Sequence, residues 1–175
     1  MTNEVLKAIE NRRSCKAFRP EQIKPEELDA ILKAGTFAPT GRNKQAPVMV
    51  VLQNKEDVAE LSALNAQIMG TATDPFYGAP TVIVVLAETE PYTWVEDGSL
   101  VMANLMLAAS SLGVGSCWIH RARQEFDSEQ GKALLKKWGL PETLRGVGHC
   151  ILGYPAENAY AKPRSPRKDG YIVKI

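Results

Sequence analysis

Arg12, Arg13, Ser14 and Lys16 stand close together ahead of the apolar anchor Phe18. Guanidinium groups grip a phosphate through paired charge-assisted bonds and a lysine adds a point charge, so this donor set suits a phosphate. The plainer alternative is a solvated helix end whose cations complement the helix dipole. A second polar stretch, Ala38 to Pro47, contains Pro39, Thr40, Gly41, Asn43 and Gln45. Its small residues let backbone amides approach a planar ligand, and its two carboxamides offer both donors and acceptors. Composition alone favours an ordinary turn-rich connection there. Lys162-Pro163-Arg164, near the C-terminus, reads by itself as an exposed basic tail.

The remaining segment with chemical content runs from Gly113 to Arg121 and contains Cys117, Trp118, Ile119 and His120. A dinucleotide fingerprint fails here, because the third glycine is missing and the glycines follow a helix and enter a strand. Cys117 sits mid-strand beside a tryptophan and reads as core, and no His and Asp cluster supports a catalytic triad. His120 and Arg121 leave the strand at its C-terminal end. With only two histidines and no zinc-type spacing, no metal site is expected. His149, between Gly148 and Cys150, reads as a satisfied core histidine.

These segments need elements to position them. Val5, Leu6 and Ile9 keep helical spacing behind Thr2 as a cap, so a first helix ends near Arg12. Pro25 followed by Glu26 and Glu27 opens a second, which stops before Pro39. Val48–Leu52 is a strand, and Val58, Leu61, Leu64 and Ile68 mark a helix. Thr81–Leu86 has no polar alternation, the pattern of a central strand covered on both faces. The helix from Trp94 to Leu112 is apolar around most of its circumference and needs burial on several sides, one of them against a partner subunit. Val114–Ile119 is a third strand. Asp127 and Gln130 form a capping box for a helix carrying Leu134, Leu135 and Trp138. Gly146–Gly153 is a fourth strand, after which the tail wraps over a surface and Tyr171–Ile175 can pair at a sheet edge.

The chain of 175 residues has 21 basic and 20 acidic residues, a net charge of +1. One domain over residues 1–175 is expected. There is no bulk field to attract nucleic acid or an anionic membrane, so any anion site must be local. No apolar run approaches the roughly 20 residues of a membrane span. The N-terminal residues lack a signal-peptide pattern, and three cysteines in core-like surroundings do not suit a disulfide framework, so a reducing cytoplasm is expected.

In this order, Arg-Arg-Ser-x-Lys-x-Phe, Ala-Pro-Thr-Gly-Arg-Asn-x-Gln, Leu-Gly-Val-Gly-Ser-Cys-Trp-Ile and Gly-Tyr-Pro followed by Lys-Pro-Arg resemble the bacterial nitroreductase and NAD(P)H:flavin oxidoreductase family. The resemblance implies an α+β fold with a central mixed sheet flanked by helices, in a homodimer whose C-terminal tail reaches across to the other subunit. It implies FMN in the interface, its phosphate held by Arg12, Lys162 and Arg164. Arg13 and Ser14 would line the same side, with Lys16 at the N1 and C2 carbonyl edge of the ring. Pro39, Thr40 and Gly41 would come from the partner, with Asn43 and Gln45 nearby, and Ile119, His120 and Arg121 would approach N5. The implied reaction carries reducing equivalents from NADH or NADPH to nitroaromatics, quinones or similar flat oxidants by a ping-pong mechanism. Flavin reduction, dehalogenation, alkene reduction and flavin storage are the alternatives. Many relatives have an acidic residue followed by glycine where this chain has His120 and Arg121.

Overall fold

The computed structural model describes all residues 1–175. The chain order is α1 (Glu4–Asn11), α2 (Pro25–Thr36), β1 (Pro47–Leu52), α3 (Lys55–Met69), β2 (Thr81–Ala87), α4 (Trp94–Ser111), β3 (Gly115–Ile119), α5 (Ala122–Asp127), α6 (Glu129–Lys137) and β4 (Arg145–Gly153). The strands form one sheet in the order β1-β2-β4-β3. No helix is long and apolar enough to cross a membrane.

Every residue of β2 is buried, as its uninterrupted apolar run requires, because helices cover both faces of the sheet. Its alternate side chains feed two cores. Val82, Val84 and Leu86 pack with Leu61, Leu64, Phe126 and Leu135 from α3, α5 and α6. Ile83 and Val85 pack with Ile31 of α2 and Met102 and Leu105 of α4.

Local chemistry sets the helix boundaries. Pro25 opens α2, whose first turn is closed by the Lys24 amide donating to Glu27 at 3.1 Å. Asn54 caps α3 through its side-chain oxygen, which accepts from Glu56 N at 2.8 Å, and Gly70 ends the helix at φ +70°.

Four expectations need correction. The first helix is capped by Asn3, whose carboxamide oxygen accepts from Leu6 N at 2.9 Å, and Thr2 lies outside it. The Asp127 capping box does not form, since that carboxylate pairs with Arg145 and Ser128 caps α6 through Gly131 N at 3.1 Å. A separate helix, α5, therefore precedes it. The expected mixed sheet is antiparallel in all three of its strand pairs, and parallel pairing is confined to a single bridge between Ser14 and Ser116. Tyr171–Ile175 pairs with no strand of its own chain and is exposed.

His149 lies in the core as expected but is only half satisfied. Its Nε2 meets the Glu125 carboxylate, both side chains are fully buried, and His149 Nδ1 and Glu125 Oε1 have no partner. The pair ties α5 to β4. Glu125→Leu alone strands the imidazole and is expected to destabilise by about 3–5 kcal/mol, whereas pairing it with His149→Met should recover much of that loss. Urea unfolding of both variants at fixed protein and flavin concentration checks this.

At the C-terminal end of α5, two residues after Glu125, the hydrogen bond from Arg145 holds the Asp127 carboxyl below its ordinary range. A depressed pKa contributes stability that is complete above the unfolded value, about 3.9, and is lost as pH falls through the lower folded value. Asp127→Asn should flatten the acid limb of the stability profile, measured by thermal unfolding from pH 6 downward.

Candidate functional site

The segment after α1 runs beside the outer edge of β3. Cys15 N donates to Ser116 O at 2.8 Å, Arg19 N to Tyr154 O at 2.9 Å and Ala156 N to Ala17 O at 3.0 Å. Gly115 makes this approach possible, since an added Cβ there would stand 2.8 Å from Cys15 Sγ. The glycine that failed as part of a dinucleotide fingerprint thus has a packing role.

The residues on either side of Cys15 are brought together with the tail. Arg13 Nη2 donates to the Lys162 carbonyl at 2.6 Å, and its guanidinium lies 5.4 Å from the centre of the Tyr160 ring. Arg164 Nη2 donates to the Arg12 carbonyl at 3.2 Å. Hydrogen bonds from the Arg13 and Arg164 guanidiniums to backbone oxygens thus bring residues 12–13 and 162–164 together, and none of Arg12, Arg13, Lys162 and Arg164 joins an ion pair. Tyr160 lies beside the buried Cys15. Burial pushes the Tyr160 phenol up to about 12 and raises the Cys15 thiol as well.

Next to this cluster is a cavity of about 630 Å³ whose walls include Ser14, Lys16, Tyr77, Trp118, His120 and Arg121. The Lys16 ammonium stands 5.3 Å from the centre of the Tyr77 ring. Asp74 shapes the loop that carries Tyr77 by accepting from Phe76 N at 2.8 Å and Gly78 N at 2.6 Å. Trp118 lies against Gly148, where a Cβ would come within 2.8 Å of the indole. Ile119 is buried at the end of β3, and His120 is exposed.

At Arg121 the backbone turns through φ +79° to start α5. Side chains disfavour this region, which glycine enters freely. The arginine is held there by Asn65 of α3, a fully buried residue absent from the sequence reading. Asn65 Nδ2 donates to the His120 carbonyl at 2.9 Å, while Arg121 Nε donates to Asn65 Oδ1 at 3.1 Å. The available signal was a carboxamide inside the apolar stripe of Leu61, Leu64 and Ile68.

The loop after α2 stands elsewhere. Gly41–Asn43 forms a 3₁₀ turn, with positive φ at Arg42, Asn43 and Gln45. Gly41 N donates to the buried Asp97 at 2.9 Å, which ties the loop to the start of α4. Gln45 Nε2 donates to Asn43 Oδ1 at 3.1 Å, and Gln45 N to Thr40 Oγ1 at 3.0 Å. Gly41 faces a smaller cleft beside Thr93, so within one chain this loop does not join the cation-lined cavity.

A two-core α+β sheet with cations gathered along the edge of β3 defines the class of protein. The chain belongs to the Nitroreductase family, whose model matches residues 9–154. A Bacteroides fragilis nitroreductase solved with bound FMN superposes with a TM-score of 0.92 at 32% identity, covering 99% of this chain and 100% of that one. A nitroreductase from Desulfitobacterium hafniense, also with bound FMN, gives 0.86 at 30% identity and full coverage of both chains. A relative from Archaeoglobus fulgidus, provisionally named NADH dehydrogenase/NAD(P)H nitroreductase, is 35% identical over 159 residues, 88% of this chain and 87% of its own.

Because Cys15 is fully buried, with Tyr160 beside it, the thiol should alkylate slowly at pH 8. Tyr160→Ala should lower the burial and speed labelling several-fold at Cys15 alone, read by timed iodoacetamide treatment and peptide mass spectrometry.

Proposed function

We propose that the protein is a single-domain, FMN-dependent oxidoreductase that carries reducing equivalents from NADH or NADPH to nitroaromatics, quinones or similar flat acceptors, as a homodimer. The observation that carries this reading is the gathering of Arg12, Arg13, Lys162 and Arg164 with no carboxylate among them. The two segments so joined carry four cations with no paired carboxylate, and a phosphate of about two negative charges would supply the missing counter-charge. The FMN-bound relatives supply the ligand whose phosphate and flat ring match a cation cluster beside an aromatic-walled cavity.

In this reading Arg12, Lys162 and Arg164 hold the phosphate, with Arg13 and Ser14 alongside. Lys16 faces the N1 and C2 carbonyl edge of the ring, and Ile119, His120 and Arg121 surround N5. When bound, the flavin supplies the two-electron chemistry. The protein orients its reactants and limits water, and one cavity serves reductant and acceptor in turn, which gives ping-pong kinetics.

The partner subunit is inferred from surface left uncovered. Val5 and Phe37 are 62% and 74% exposed, and with Leu107 they border an apolar groove of about 540 Å³ between α1, α2 and α4. A second copy seated there brings Pro39, Thr40, Gly41, Asn43 and Gln45 toward the first copy's cavity. In this reading residues 160–164 keep the bonds they make to residues 12 and 13 within one chain, and residues 165–175, with exposed Tyr171, Ile172 and Val173, are the part of the tail that reaches across.

The purified protein should absorb near 450 nm, about the position of flavin's visible band, and NADH or NADPH should bleach that band without oxygen. A colourless protein refutes the reading, and a band that resists both reductants makes it a flavin-storage protein. Truncation after Arg164 should weaken the dimer in ultracentrifugation while sparing the phosphate cluster, whereas truncation before Tyr160 should lose FMN as well.

Lys16 stabilises negative charge that accumulates at its edge of the ring on reduction. Losing a charge-assisted bond of roughly 1.5–3 kcal/mol, at about 30 mV per 1.4 kcal/mol for two electrons, should lower the midpoint potential of Lys16→Met by some tens of millivolts. Arg12→Ala should instead lose flavin with little change in potential. Spectroelectrochemical titration of both variants separates the roles, and loss of flavin without a potential shift in Lys16→Met would move Lys16 to the phosphate site.

A further inference from the structure

The arrangement at Arg121 has more in it than a helix start requires. An arginine occupies a left-handed backbone position at φ +79°, and a fully buried carboxamide is committed to the two residues at the cavity mouth. Asn65 fixes the His120 carbonyl through its nitrogen and the Arg121 side chain through its oxygen. Only Nε of the guanidinium is used in this way. The two terminal nitrogens have no partner in the protein, and Arg121 forms no ion pair.

The charges around it point the same way. Lys16 lines the same cavity and is also unpaired with any carboxylate. Asp74 is the one acidic residue among the lining groups, and it is engaged by the Ser62 hydroxyl at 2.5 Å and by two backbone amides. Of the acids near α5, Glu125 is turned inward to His149 and Asp127 is paired with Arg145. Tyr77 and Trp118 supply aromatic walls. The cavity therefore combines surfaces for a flat ring with a preorganised guanidinium fork lacking an anion, and such a fork fits a carboxylate through two parallel bonds.

We propose that Arg121, anchored by Asn65, is a carboxylate subsite that selects planar acceptors carrying an anionic group on the ring, with Asn65 as its positioning residue. This rests on the reading of the cavity as the flavin-side site. The same fork could meet a phosphate of the reductant, and the test separates that source from the acceptor's carboxylate.

The probes are 4-nitrobenzoate and its neutral analogue 4-nitrobenzamide as acceptors, and benzoate and benzamide as non-reacting ligands. Wild type should favour 4-nitrobenzoate in kcat/KM and bind benzoate more tightly than benzamide by calorimetry. Arg121→Gly removes the fork and relieves the backbone, and the preference should fall about 10-fold or more, the value of a charge-assisted bond. Asn65→Asp keeps an acceptor for Nε but neutralises the fork, and should lower the same ratio, while Asn65→Gln tests whether the anchor's length matters through a KM rise confined to the anionic acceptor.

An unchanged ratio in flavin-loaded Arg121→Gly overturns the subsite and leaves the flavin reading intact. If Arg121→Gly instead raises KM for NADPH and NADH with the acceptor ratio unchanged, the fork serves the reductant and the proposal is wrong. Should the protein carry no flavin, the cofactor reading fails, and equal binding of benzoate and benzamide by wild type still decides against the subsite.

Discussion

β2 cannot meet water on either face, and the rest of the architecture follows from that. Its side chains are apolar on both sides of the sheet, so helices must cover both, and the two cores are the result. β1 and β4 flank it, which leaves β3 as an outer strand beyond β4. An outer strand has an open row of amides and carbonyls, and here the chain from Ser14 to Arg19 runs beside it and the turn after β4. The cations of the site are thereby hung on the edge of a sheet whose middle is the most rigidly buried part of the molecule. Placing a ligand against such an edge gives it a fixed frame without opening the core.

Net charge conceals this arrangement. The chain is almost neutral overall, yet the two segments joined by the Arg13 and Arg164 bonds carry four cations and no ion pair. Acidic residues that could have neutralised them are used elsewhere, as in the pairing of Lys137 with Asp57 and Glu60 at 2.8 and 2.9 Å. Exposed pairs of that kind contribute little to stability. Their effect is to leave the field at the β3 edge uncancelled.

Much of this was legible in the chain because it is local. The unbroken apolar run of β2, Pro25 before Glu26 and Glu27, and the four-segment motif order each depend on neighbours in sequence, and the elements they predict are present. What sequence reading missed depends on partners far away. Asp127 looked like a cap until Arg145 claimed it, 18 residues on. Asn65 went unremarked on its helix, and its partners lie 55 and 56 residues away. Lys162-Pro163-Arg164 reads by itself as an exposed basic tail, and only the family resemblance puts it beside Arg12; the bond from Arg13 to the Lys162 carbonyl spans 149 residues. Arg121 hid a left-handed backbone because nothing local marks an arginine that takes glycine's conformation.

That last position carries a historical consequence. The bond from Asn65 Nδ2 to the His120 carbonyl does not involve the side chain at 121 and would hold the loop equally well if that residue were glycine. The bond from Arg121 to Asn65 has no such independence, because it needs the carboxamide already in place. A lineage that acquired the asparagine first could exchange glycine for arginine in one step and remain folded. A lineage that acquired the arginine first would carry a strained, unanchored turn. The cost of a left-handed arginine, on the order of 1–3 kcal/mol, thus falls more lightly on a chain whose α3 already holds the carboxamide.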